Sequence, residues 1–192
     1  MQAATAIVAE TIRKIEPLDD LEREHIDTTL AWLAATDDIF RRVRPATPPR
    51  HLVAYVVLVD PDRRAVFLGH HLNAGLWLPT GGHVEPGEHP LTAARREAFE
   101  ELGVHAEFSV IGDRPLMLTV TTTVGIDSGH QDVSAWYVIR GDRSREYALD
   151  PTEFAEGRWW DIDQHGLPET DPHFKRFLTK LDTQLHGPDN EL

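Results

Sequence analysis

Apolar positions recur along the chain in two rhythms, and the change from one to the other divides it. In the first 35 residues the rhythm is helical: Ile26, Leu30 and Leu33 follow at spacings of four and three with Trp32 beside them. Pro17 breaks a helix predicted over 2–16 from one predicted over 18–35, whose start is marked by Asp19, Asp20 and Glu22. Three prolines in the stretch 44–49 then oppose both helix and central strand. From residue 52 to 59 the chain is a continuous, largely β-branched apolar run, the pattern of a strand buried on both faces. Asp60, Pro61 and Asp62 predict a turn and 65–69 a returning strand. Further strands are expected at 75–79, 117–124, 133–139 and 157–161. Helices are expected at 90–102 and at 173–185, where Phe174, Phe177, Leu178 and Leu181 share one face. Strands flanking well-separated helices predict an α/β domain, a mixed sheet with helices packed on it. The expected organisation is a helical extension at 1–44, a proline-rich joint at 45–50, a domain at 51–187 and a tail at 188–192.

Charge changes the picture of what this domain can bind. The 192 residues carry 32 acidic against 19 basic side chains, a formal net charge of -13. A nucleic-acid polymer or an anionic membrane needs a basic footprint, so both are excluded as expected partners. There is no cysteine, which removes thiolate metal sites and cysteine nucleophiles and leaves carboxylates and histidines to carry metal chemistry. No apolar run approaches the roughly 18 residues of a membrane span, and the N-terminal stretch lacks the basic start of a signal peptide. The expectation is a soluble cytoplasmic protein. An acidic enzyme acting on an anionic substrate needs local positive charge or metal ions to overcome its own field.

The candidate chemistry lies in the stretch 82–104, GHVEPGEHPLTAARREAFEELGV. Pro90 suits the first helical turn and Gly103 a left-handed cap. On that helix Leu91, Ala94, Ala98 and Leu102 form one stripe at ~100° per residue. Glu97 and Glu101 lie beside the stripe, with Glu100 one step round. A run of charges is ordinarily a solvated face. Here three mutually repelling carboxylates border a docked helix, Arg96 stands within reach of Glu88 and Glu100, and Gly81 and Gly82 let a loop approach closely. Such hard oxygen donors favour magnesium or manganese over zinc.

The segment resembles the Nudix box, Gx5Ex7REUxEExGU with U a bulky apolar residue. Gly82, Glu88, Arg96, Glu97, Glu100, Glu101, Gly103 and Val104 match it, and only Ala98 is small for its place. A chance match anywhere in the chain is on the order of one in a million at ordinary residue usage. The resemblance implies a Nudix α/β/α sandwich with a mixed β-sheet, here with an N-terminal helical extension. It implies a pyrophosphohydrolase that splits a diphosphate linkage in a nucleotide by magnesium-assisted attack of water, with manganese as an alternative ion. By position, Glu97, Glu100, Glu101 and the Gly81 carbonyl would hold metal, and Glu88 with Arg96 would be an orienting pair. The base would be a carboxylate of the box or of a later loop; Glu153 and Glu156, ahead of Arg158, Trp159 and Trp160, sit where some members supply one, Glu153 being weighed against a solvated turn residue. Secondary signatures of the family's substrate classes are unmatched: no SQPWPFPxS stretch follows the box, and Pro115 lies too early for the ADP-ribose class. A broad or (deoxy)nucleoside triphosphate activity is the leading expectation, with a non-hydrolytic nucleotide-binding module as the alternative.

Other residues are weighed against plainer roles. Gly82, His83 and Asp132 are candidate substrate contacts, Asp132 equally a turn residue at a strand start. His70, His71, His83, His89 and His130 lack the HExxH spacing of a zinc enzyme, so hydrogen-bonded or surface histidine is the preferred reading. Trp77, Trp136, Trp159 and Trp160 are expected mainly in the core. Arg50, Arg114 and Arg140 are candidate phosphate clamps. The N-terminal helices either form a homodimer interface or cover their own sheet.

Overall fold

A computed structural model describes residues 3–44, 47–125 and 128–187. Residues 45–46 of the expected joint and the whole expected tail at 188–192 lie outside the described residues.

The long apolar run forms β1 (Arg50–Asp60), the strand from which the sheet is built. Along one edge it pairs in parallel with β6 (Gln131–Arg140), from Arg50 opposite Gln131 to Val59 opposite Arg140. Its other edge is shared between two antiparallel partners. The end at 58–60 meets β2 (Ala65–His71), and residues 53–56 meet β4 (Thr80–His83). β3 (Leu76–Leu78) and β7 (Phe154–Asp161) both pair with β2, and β5 (Met117–Thr122) pairs with β6. The result is one seven-stranded mixed sheet with the path β3-β2-β1-β6-β5.

The four helices are α1 (Ala3–Arg13), α2 (Asp20–Ala35), α3 (Pro90–Leu102) and α4 (Phe174–Leu185). Strand side chains alternate faces, and the two halves of the core follow that alternation. Leu52, Ala54, Val56 and Leu58 join Val133, Ala135, Tyr137 and Ile139 on one face. Against them lie Ala93, Ala94, Ala98 and Leu102 of α3 and Val8, Ala9 and Ile12 of α1. Val57, Val59, Trp136 and Val138 face the other way onto Phe174, Phe177, Leu178 and Leu181 of α4. Burial on both faces explains why β1 reads as an unbroken apolar run, and the layers are those of an α/β/α sandwich.

α2 runs along β5, at one end of the sheet path, where an open strand would otherwise present unpaired amides. Glu22, fully buried, accepts from the Leu118 amide at 3.2 Å, from the Leu18 amide at 2.7 Å and from Lys180 Nζ at 2.7 and 2.9 Å. Asp19 caps α2 by accepting from the Glu22 amide and also pairs with Arg176 of α4. The N-terminal helices thus cover the sheet of their own chain. No helix among the described residues is long and apolar enough to cross a membrane.

Several strand bounds differ from expectation, β7 beginning at Phe154 rather than 157, and two differences bear on the site. β4 was not predicted, because Thr80, Gly81, Gly82 and His83 have no strand-like alternation; pairing with β1 imposes the conformation. β6 begins at Gln131 rather than 133, which puts Asp132 in the strand opposite His51 instead of in a turn.

Candidate active site

The two glycines of β4 bring the sheet against α3. Gly81 has φ +131°, and a β-carbon there would strike the Ala54 carbonyl of β1. Its amide donates to Glu101 Oε2 at 2.6 Å. At Gly82 a β-carbon would fall on the Glu97 carboxylate. Gly81 therefore requires a residue without a side chain, whereas a side chain at Gly82 would displace the Glu97 carboxylate.

α3 is set as its sequence predicts. Pro90 opens it, His89 Nδ1 accepts from the Leu91 amide at 3.0 Å, and Gly103 closes it at φ 65°. Its apolar stripe is buried, and the flanking Glu97 and Glu101 are only 7% and 4% exposed. Arg96 ties the carboxylates together. Its Nε and Nη2 donate to the two Glu88 oxygens at 3.1 and 3.0 Å, and Nη2 also donates to the His83 carbonyl at 3.0 Å. Nη1 donates to Glu97 at 2.7 Å and to Glu100 at 3.0 Å. Arg96 thus contacts Glu88, Glu97 and Glu100 together.

Glu153 arrives from the loop before β7. That loop is anchored to the end of α3 by the Asp150 amide, which donates to the Glu101 carbonyl at 3.1 Å, and it brings the Glu153 carboxyl close enough to act on that of Glu101. Glu156 points elsewhere and pairs with Arg158 at the surface. Burial pushes the Glu101 carboxyl up to about 9, and the neighbouring Glu97 and Glu153 charges push the same way. Burial likewise raises Glu97 against the pull of Arg96. Among the described residues no basic side chain pairs with Glu101. Glu97, Glu100, Glu101 and Glu153 thus bring four carboxylates together with one guanidinium, an all-oxygen donor set that fits a hard divalent cation.

These groups line a cleft of about 980 Å3, at the upper end of the ~300–1,000 Å3 of ligand pockets. Gly82, His83 and Asp132 also line it. The arginines in the cleft are Arg41, Arg44 and Arg96. The candidate clamps lie elsewhere: Arg50 stacks over Trp32 at 5.0 Å, Arg114 borders a small separate pocket and Arg140 pairs with Asp62. None of Trp77, Trp136, Trp159 and Trp160 lines the cleft; Tyr55 does.

One group was not foreseen. His51, fully buried on β1, lies opposite Asp132 across the parallel pair and two residues from the Val53–His83 register. With His83, His130 and Asp132 it forms a cluster whose ligand atoms all lie within 4.8 Å of one another. Burial, reinforced by Arg41 and the other two histidines, pushes His83 down to about 2. The four residues are scattered over 82 positions of sequence, so no local spacing announces them. The other histidines have the plain roles expected: His89 caps α3 and His71 Nδ1 accepts from the Ala74 amide at 3.2 Å.

The family model described as NUDIX domain matches residues 49–181. An uncharacterized Nudix hydrolase, orf19, of Rhodococcus erythropolis is 34% identical over 116 residues, 58% of this chain and 57% of that protein. An RNA pyrophosphohydrolase of Rhodopseudomonas palustris (strain BisB18) is 31% identical over 133 residues, 62% of this chain and 74% of that one. Among solved structures, a UDP-X diphosphatase is similar at 17% identity with a TM-score of 0.53, over 94% of this chain and 89% of that one, a likeness of fold that includes the N-terminal helices. A match across 49–181, covering most of the chain and enclosing the glycine loop, α3 and the Glu153 loop, leaves one assignment: the chain belongs to the NUDIX domain family.

Proposed function

We propose that the protein is a pyrophosphohydrolase acting on a diphosphate linkage in a small nucleotide, either a (deoxy)nucleoside triphosphate or a nucleoside diphosphate derivative. The observation that supports it most directly is the convergence of Glu97, Glu100, Glu101 and Glu153 on one cleft, with Arg96 bound to Glu88. In this reading Glu97, Glu100, Glu101 and the Gly81 carbonyl hold Mg2+, or Mn2+ in its place. When bound, the ion neutralises the diphosphate oxygens and makes an attacking water more acidic.

The chain's own residues carry the remaining tasks. Arg96 and Glu88 fix the carboxylates against the glycine loop, so that they need no reorganisation when substrate arrives. Gly82, His83 and Asp132 form the wall that meets the substrate, and Arg41 and Arg44 add positive charge where phosphate oxygens enter. The oxygen of water bonds to phosphorus as the bridging P–O bond breaks, and the Glu153 carboxylate accepts the water's proton. The phosphate that departs takes a proton from solvent.

The relative named RNA pyrophosphohydrolase supports diphosphate chemistry. The net charge of -13 favours a small nucleotide over a polymer here. We also take 51–187 as the catalytic unit, 1–44 as its helical cover, and the cytoplasm as its setting, as the cysteine-free sequence suggests. A nucleotide panel with product analysis tests the reading. Release of nucleotide with phosphate or pyrophosphate supports it; tight binding without products would favour the non-hydrolytic module.

A further inference from the structure

We propose that His51, His83, His130 and Asp132 form a second metal site, selective for a divalent transition ion of the zinc type and separate from the carboxylates of α3. Three distances define it. His51 Nε2 lies 3.0 Å from His83 Nε2 and 3.1 Å from Asp132 Oδ1, and His130 Nε2 lies 3.4 Å from the same oxygen. Ligands at zinc's usual ~2.0–2.1 Å stand ~3.3 Å apart on the edges of a tetrahedron. The three contacts come within about 0.3 Å of such an edge, and all four ligand atoms lie within 4.8 Å of one another.

The hydrogen-bond partners point the same way. His51 Nδ1 lies 2.8 Å from the Pro48 carbonyl, an acceptor only, so that nitrogen carries a proton and donates. Its Nε2 faces His83 Nε2, a hydrogen-bond partner at 3.0 Å, and Asp132 Oδ1 at 3.1 Å. Asp132 Oδ1 is buried and accepts no hydrogen bond, because neither neighbouring ring meets it with hydrogen-bond geometry. A hydrogen on either Nε2 accounts for the His51–His83 contact and leaves Asp132 Oδ1 without a partner; one cation among the four groups would satisfy all of them. The outer contacts are those of held ligands: His51 is fixed by the Pro48 carbonyl, and His130 Nδ1 lies 3.1 Å from Thr123 Oγ1.

Ligand chemistry separates this site from the one beside it. Three imidazoles and one carboxylate suit zinc, cobalt or another borderline ion, whereas the carboxylates of α3 suit magnesium. Because His83, His130 and Asp132 line the cleft, an ion held there would give His83 and Asp132 their part in meeting an anionic substrate. The carboxylate site and the catalytic reading do not depend on it.

The test is a cobalt(II) titration of the chelator-stripped full-length protein in excess magnesium, read by visible absorption and by bound stoichiometry. One equivalent should bind with the strong visible bands of four-coordinate cobalt and be displaced by zinc. Binding should persist in Glu101→Gln and weaken at least about tenfold in both Asp132→Asn and His130→Ala. A wild-type protein without such bands would overturn the proposal, even if either variant fails to fold. So would a spectrum lost in Glu101→Gln but unchanged in the two site variants.

Discussion

The Glu97 carboxylate of α3 stands where a β-carbon on Gly82 would be. A methyl group there would force the carboxylate to shift, and Arg96 holds the same oxygen, Glu97 Oε1, at 2.7 Å. Gly82→Ala is expected to displace Glu97 by about 1 Å and to lower kcat/KM about 100-fold, the sensitivity of positioned catalytic groups. The melting temperature should fall far less than for a core substitution. Steady-state kinetics beside thermal melts check this, and an alanine variant with wild-type turnover would show that Glu97 need not sit there.

Glu153 and Glu156 are three residues apart and differ in surroundings. Glu153 lies close enough to act on Glu101, whereas Glu156 pairs with Arg158 at the surface. Glu153→Gln should lower kcat by about 100-fold or more, the contribution of a general base. Glu156→Gln should leave it within about twofold. Equal losses in the two variants would remove Glu153 from the role of base.

The sequence made the box helix legible almost to the residue, because Pro90, Gly103 and the Ala94, Ala98 and Leu102 stripe are local signals. The sandwich was legible from the run at 52–59, since burial on both faces leaves no polar alternation. What stayed hidden was set by pairing across the sheet. β4 is a strand because β1 holds it, and His51, His83 and Asp132 meet only through the registers of β1 with β4 and β6. The charged residues of the cleft entrance, Arg41 and Arg44, lie in the irregular stretch before β1, where no periodicity indicates a direction.

Lys180 is an interior cation, and Glu22 is the buried acid beside it. Glu22→Ala should cost about 3–5 kcal/mol, because it leaves a buried ammonium without its partner. It also releases the Leu118 amide of β5. The double variant Glu22→Leu with Lys180→Met should recover much of the loss. Denaturant melts measure both, and a single variant as stable as wild type would show that α2 is not fastened through this pair.

Asp19 and Arg176 make stability depend on acid pH. The Arg176 guanidinium holds the Asp19 carboxyl down at about 2, below its ordinary 3.8. The pair's stabilisation is therefore complete above about pH 4 and lost as pH falls toward 2. Asp19 is partly exposed, so the effect is small, about 0.5 kcal/mol. Asp19→Asn keeps an acceptor for the Glu22 amide while removing the charge. Its melts should lie below wild type at pH 7 and converge with it near pH 2; a constant gap would assign the effect to the helix cap.

The most direct test of the central claim is product release from a panel of (deoxy)nucleoside triphosphates and nucleoside diphosphate derivatives as Mg2+ is titrated, for wild type and Glu101→Gln together. The account predicts turnover only with divalent metal present, and a loss of about 100-fold or more in Glu101→Gln at an unchanged fold. Turnover that persists in chelator, or a Glu101→Gln variant as fast as wild type, would contradict it.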